Sequence, residues 1–185
     1  AKDGQSFITA LERRFGLHIR IISGEKEAKL AAFGVRATIH EPQGLVGDLG
    51  GGSLELVALE EEQLAHQATL PIGPLRLQDI ADGDVQKLRD YVHTALDRLP
   101  WLKEKGRPVF YAVGGSFRAL GKLHQLHTDY PLELLHNYTV SRRSIVEMIQ
   151  ELYAMPEKER QSLPVASKRR AAILPAAVVL ETLLE

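Results

Sequence analysis

Residues 45–57, LVGDLGGGSLELV, leave the chain little choice of local fold. Two apolar runs flank three consecutive glycines, a pattern that reads as two antiparallel strands joined by a glycine turn. Glycine allows positive φ in such a turn, and it lets an anion reach the backbone N–H groups with no Cβ in the way. Asp48 stands just before the turn and Glu55 just after it. Phosphate and carboxylate repel each other, so the pairing implies a divalent cation or an attacking water between them. The competing reading is a hairpin whose glycines serve only the turn.

The flanking sequence extends this hairpin into an α/β layout. Phe7, Leu11 and Phe15 at helical spacing predict a helix from Ser6 to Phe15, stopped by Gly16. Leu17–Ile22 predicts a short apolar strand. Ser23 is the candidate N-cap of a helix through Val35, with Glu25 and Glu27 in its first turn, where a surface helix often carries acids for its dipole. Downstream, the second strand runs on to Leu59, an acidic turn follows at Glu60-Glu61-Glu62, and a third strand spans Gln63 to Leu70, making a meander. Pro71–Leu77 breaks the sheet. Val85, Leu88, Val92, Leu96, Leu99 and Leu102 then mark a helix from Asp84 to Lys105, which Pro100 kinks or divides.

After Gly106-Arg107-Pro108, the strand Val109–Val113 runs straight into Gly114-Gly115-Ser116 and a further helix. A strand ending in Gly-Gly-Ser at a helix N-terminus is a second possible anion site, and Ser116 is equally a plain N-cap. His124 and His127 lie three apart with no third ligand in view, and they read as two exposed histidines. Asn137–Val140 is strand-like, Ser141 caps a helix to Met155, and Pro156–Pro164 is a charged loop or short helix. The last helix carries Ile173, Leu174, Ala177, Val178, Leu180 and Leu184, with Lys168-Arg169-Arg170 before its apolar run. Cations at a helix N-terminus oppose the dipole and need a partner, either an anionic ligand or a carboxylate.

Composition narrows the function classes. With 185 residues, 44% apolar, and a net charge of −1, the chain is ordinary globular material of one domain or slightly more. A dedicated nucleic-acid binder would carry a basic stripe, and no window approaches the apolar length of a membrane span. The absence of cysteine excludes disulfides and thiolate chemistry and fits a reducing compartment, so a cytoplasmic location is expected. The opening Ala1-Lys2-Asp3-Gly4 reads as the middle of a longer chain.

Five motifs in order, ISGEKEAKLAAFGV, GDLGGGSLELV, LPIGPLRL, VGGSFRAL and KRRAAILPAAVVLE, resemble the exopolyphosphatase and guanosine-pentaphosphate phosphohydrolase (Ppx/GppA) family. That family belongs to the actin, sugar-kinase and heat-shock-chaperone superfamily. The resemblance implies an α/β, RNase H-like (actin-like ATPase) domain: a mixed sheet with a three-stranded antiparallel meander, flanked by helices. The family's first strand-turn-strand, with its Asp and phosphate loop, has no counterpart here. Residues 1–28 are therefore expected to be the tail of a first RNase H-like domain and residues 29–185 most of a second, a fragment with little turnover.

The implied reaction removes the terminal phosphoryl group of inorganic polyphosphate, with water as acceptor; hydrolysis of guanosine pentaphosphate in stringent-response signalling is the in-family alternative. By the same resemblance Glu27 is the base that orients and deprotonates the water, with Glu25 its competitor, and Asp48 helps hold that water. Asp48 and Glu55 would bind Mg²⁺. Gly50, Gly51, Gly52 and Ser53 would hold phosphate, as would Gly114, Gly115 and Ser116, with Arg76, Arg118 and the Lys168–Arg170 cluster, Arg170 included, along the polyanion. A homodimer is expected of the full-length protein, with no nucleic-acid or membrane partner. Leu54, where the family commonly has Thr, and Lys26, where it often has an acid, depart from the pattern.

Two readings from other classes compete. A sugar-kinase-like or actin-like ATPase would use Gly114-Gly115-Ser116 in an adenosine loop, and nucleotide binding would favour it. A non-catalytic polyphosphate-binding or oligomerisation module would stay inactive even when the upstream residues are restored.

Overall fold

The computed structural model describes residues 3–60, 63–81, 84–104 and 108–185. Strands β1 (Gly44–Leu49), β2 (Leu54–Glu60) and β3 (Gln63–Leu70) form the expected antiparallel meander. Strand β4 (Phe110–Val113) joins parallel to β1, giving the order β3-β2-β1-β4. The β1–β2 register sets Val46 opposite Val57 and Asp48 opposite Glu55. Because side chains alternate along a strand, these four share one face, while Leu45, Leu49, Leu54 and Leu56 share the other.

The leucine face carries the main core. It is covered by α3 (Pro74–Ala81), α4 (Val85–Leu96), α5 (Gly115–His127), α6 (Arg142–Ala154) and α8 (Ser167–Leu184), through Leu77, Leu88, Val92, Phe117, Leu120, Ile149, Ile173 and Val179. Helix α8 is buried almost all round from Ala172 to Thr182, as expected of a helix apolar on every side. Its one buried acid, Glu181, accepts from Arg89 Nη2 at 2.6 Å, Arg89 Nε at 3.1 Å and the Tyr153 hydroxyl at 2.8 Å, and also from the Gln150 amide. That network ties α4, α6 and α8 together and satisfies the buried charge.

The opposite face is covered by α2 (Gly24–Thr38). Ala28, Ala32 and Val35 point at Val46, Val57 and Leu59, and the two alanines, both fully buried, let the helix lie close to the sheet. Ser23 caps α2 by accepting from Lys26 N, as the sequence predicts. Helix α1 (Gly4–Phe15) ends at Gly16 with φ +63°, also as predicted, but buries none of its residues.

Several elements differ from the sequence-based expectation. Leu17–Ile22 is not a strand: it joins no sheet among the described residues, Ile19 N donates to Glu12 Oε1 at 2.9 Å instead, and Leu17 and Ile21 are exposed. Asn137–Val140 is irregular because β4 pairs only with β1 and the Tyr138 hydroxyl is held by His124 instead. The sheet-breaking segment goes directly into α3, with Pro74 at the first helical position, where its missing N–H costs nothing. Pro100 divides the expected long helix: α4 ends at Leu96 and a 3₁₀ turn spans Pro100–Lys103. His124 is buried, not exposed; Tyr138 and Ser144 hydroxyls lie at 2.7 and 2.8 Å from its ring nitrogens, and burial lowers its pKa. The Pro156–Pro164 segment holds a short helix, α7 (Glu157–Arg160). The turn at Glu61-Glu62, the loop at Gly106-Arg107 together with Lys105, and the Lys168 side chain lie outside the described residues.

Candidate functional site

Strand pairing brings Asp48 and Glu55 together, and the first turn of α2 carries Glu27 near enough for its charge to act on both. Asp48 and Glu55 project from the α2 side of the sheet as a cross-strand pair at the end nearest the glycine turn. Glu27 stands in the first turn of α2, one residue before the buried Ala28. Its negative charge pushes up the pKa of both Asp48 and Glu55, so the three carboxylates share one field. Burial is the largest cause of each shift; Glu27 adds to it, Asp48 adds further at Glu55, and Arg118 opposes it at Asp48.

Glu55 is only 2% exposed and neither of its carboxylate oxygens is hydrogen-bonded. The Ser53 hydroxyl lies near enough to pull its pKa down somewhat, yet outside hydrogen-bond geometry. A buried acid with two bare oxygens beside two more acids is costly, and a cation is what the arrangement lacks. Among the described residues no three His, Asp or Glu side chains gather into an all-protein metal cage. Two carboxylates completed by water and phosphate oxygens match the preference of Mg²⁺, so Asp48 and Glu55 fit the ion.

Glu25 is engaged by contacts of its own. Its Oε1 accepts from Gln67 Nε2 at 2.6 Å and Lys29 Nζ at 3.1 Å, which lower its pKa. Glu27 is exposed, and among the described residues its side chain makes no hydrogen bond or ion pair. Of the two acids left open by the sequence, Glu27 is the one whose charge acts on Asp48 and Glu55.

The glycine turn works differently from the expectation. None of Gly50, Gly51 and Gly52 adopts positive φ; the left-handed glycine of the site is Gly114, at +93°. The turn is closed by Gly50 N donating to Ser53 O at 3.0 Å and rests on the LPIGPLRL segment. Leu75 N donates to Gly51 O at 3.0 Å, and a Cβ on Gly73 would fall 2.3 Å from the Gly52 carbonyl carbon. Gly73 is thus a supporting residue that the sequence marked only as part of a motif. Leu54, the departure from Thr, is fully buried on the leucine face, away from Glu55.

The N-terminus of α5 closes the other side of the site. A Cβ on Gly114 would fall 2.5 Å from Asp48 Oδ1, so this glycine lets β4 and α5 pass directly behind the acid. Arg118 Nε donates to Gly114 O at 3.3 Å, and its charge pulls on Asp48. Ser116 is buried and is not an N-cap; Gly114 holds the cap position. Arg169 lies against the same helix end, since a Cβ on Gly115 would fall 2.0 Å from its Nη1. Among the described residues no carboxylate pairs with Arg169, a cation at the positive end of a helix.

Arg170 Nε donates to Leu163 O at 3.1 Å, a contact that occupies one edge of its guanidinium. Because α8 is apolar all round beyond these residues, no stripe in its sequence distinguishes Arg169 from Arg170. Arg76 is exposed on α3, next to the shelf beneath the glycine turn, with no side-chain partner among the described residues. Glu27, Asp48, Glu55, Gly114, Gly115 and Arg118 are thus brought together, with Gly50–Ser53 at the adjoining strand ends.

Comparison with known proteins agrees with this architecture. The chain is 29% identical over 183 residues to the exopolyphosphatase 2 of Mycobacterium tuberculosis, covering 91% of this chain and 56% of that protein. It therefore spans little more than half the length of the curated relatives it matches. Its fold superposes on an exopolyphosphatase from Cytophaga hutchinsonii with a TM-score of 0.85 at 20% identity, covering 98% of this chain and 62% of that one. The Ppx/GppA family member of Aquifex aeolicus gives 0.77 at 22% identity, covering 100% and 62%. These likenesses carry the fold, a mixed α/β sheet of the actin-like ATPase type. The sequence profile of the Ppx/GppA phosphatase family matches residues 1–185, and the chain belongs to that family.

Proposed function

We propose that the chain carries the catalytic acids of an exopolyphosphatase, which hydrolyses the terminal phosphoanhydride of inorganic polyphosphate with water as nucleophile. The observation that carries this reading is the meeting of Glu27, Asp48 and the bare, buried Glu55 beside a glycine turn and the N-terminus of α5. Phosphoryl transfer needs an in-line nucleophile and neutralised equatorial oxygens, and a protein supplies both by placement. Glu27, exposed and unpaired, is free to orient a water and take its proton. Asp48 helps hold that water and, with Glu55, binds Mg²⁺, which when bound offsets charge on the phosphate oxygens. The N–H groups of Gly50–Ser53 and of the first turn of α5 hold phosphates, and Arg118 and Arg169 contribute charge along the chain.

Polyphosphate is proposed ahead of guanosine pentaphosphate, whose terminal phosphoanhydride the same acids could attack, because the curated relatives are named exopolyphosphatases. Residues 1–28 as the end of a first domain, little turnover from this chain alone, a homodimer at full length, and a cytoplasmic site of action belong to the same reading. The test is phosphate release from long-chain polyphosphate and from guanosine pentaphosphate with Mg²⁺, in a form restoring the full length of the relatives. Loss of release on Glu27→Ala supports the hydrolase, and the ratio of the two rates names the substrate. Unchanged release in that variant removes Glu27 as the base.

A further inference from the structure

The placement of Glu27 poses a mechanical question. Its side chain makes no hydrogen bond or ion pair among the described residues, so the position of its carboxylate depends on where the backbone of α2's first turn sits. The packing of α2 on the sheet's apolar cluster begins only at Ala28 and is made by Ala28, Ala31, Ala32 and Val35, beyond the turn that carries Glu27. The segment before α2 gives no support, because Leu17, Ile21 and Ile22 are exposed.

Two contacts with the edge strand β3 hold that first turn. Gln67 Nε2 donates to Glu25 Oε1 at 2.6 Å across a separation of 42 residues, and Lys29 grips the same oxygen from one helical turn on. Gly24 lies directly on Thr69, where a Cβ would fall 2.5 Å from Oγ1. Thr69 is the cross-strand neighbour of Glu55, and Gln67 that of Val57, so both grips sit on the face that carries the acids.

We propose that Gln67 and Glu25, with Gly24 seated on Thr69, are positioning residues that set Glu27 over Asp48 and Glu55. This rests on the reading of Glu27 as the base. Releasing the first turn shifts the carboxylate away from the attacking water, and a misplacement of about 1 Å in such a site costs up to about 100-fold in rate. The phosphate-binding glycines and arginines stay where they are, so the loss falls on kcat and not on KM.

The experiment uses the full-length form with polyphosphate and Mg²⁺. Gln67→Leu keeps bulk and removes the donor; Glu25→Gln/Gln67→Glu exchanges donor and acceptor. The expected result is a fall in kcat of about 10-fold or more for Gln67→Leu with KM unchanged, and recovery of most of it in the exchanged pair. In a Glu27→Gln background, Gln67→Leu should cause no further loss, since the group it positions is gone. Unchanged kcat in Gln67→Leu, or a further loss of equal size in the Glu27→Gln background, overturns the proposal. If Gln67→Leu does not fold, Glu25→Ala carries the same expectations from the helix side. Should Glu27→Gln itself retain full activity, the base assignment fails, an outcome distinct from failure of the clamp.

Discussion

Glu55 and Arg169 show how single positions acquire meaning from their surroundings. Glu55 is buried with both oxygens bare, beside two other acids. Glu55→Gln is expected to raise the urea midpoint of the metal-free chain at neutral pH, because it removes an unpaired buried charge. The same variant should lose any Mg²⁺-dependent rise in melting temperature. Arg169→Ala and Arg170→Ala are expected to separate: the first raises KM for polyphosphate and the second leaves it unchanged, since Arg170 serves the Leu163 carbonyl. Gly73→Ala forces a Cβ into the backbone of Gly52 and Ser53 and is expected to cost about 1–3 kcal/mol, read as a lower urea midpoint.

Between elements, the sheet divides two kinds of work. Its leucine face binds the thick helical layer, and its other face holds one thin helix and the acids. The helical layer is locked by Glu181, whose side chain is 7% exposed, against Arg89 at 28%. Removing one member leaves the other charge uncompensated, so Arg89→Ala is expected to destabilise the chain by about 3 kcal/mol or more in urea unfolding. Rates of phosphate release per folded molecule should change much less, because this network lies at the far end of α8 from Arg169. Helix α2 depends on alanines for its close approach, so Ala28→Leu is expected to lift the helix and lower kcat, measured in the full-length form.

For the whole molecule the acid cluster sets a pH dependence of definite sign. Burial raises the pKa of Asp48 and Glu55, so folding favours their protonated forms, and the penalty of charging them is present above the raised values and lost as pH falls through them. The stability gap between Asp48→Asn/Glu55→Gln and wild type, without metal, should be widest near about pH 7 and close toward about pH 4. Urea midpoints across that range check it. Much of this molecule was legible beforehand. Local patterns sufficed for the meander, for α2 with its Ser23 cap, for α5, α6 and α8, and for the motifs of the family, because side-chain period, capping and turn chemistry act over a few residues. Long-range contacts decided the rest. Leu17–Ile22 and Asn137–Val140 have strand-like composition, but a strand exists only where a neighbour supplies hydrogen bonds, and none does there. Glu25 and Glu27 are equivalent as text, yet Gln67, 42 residues away, occupies one and leaves the other free. Arg169 and Arg170 differ only in which way the half-buried first turn of α8 presents them. A sequence states which groups are available; their partners depend on how distant segments pack, and those contacts have no local signature.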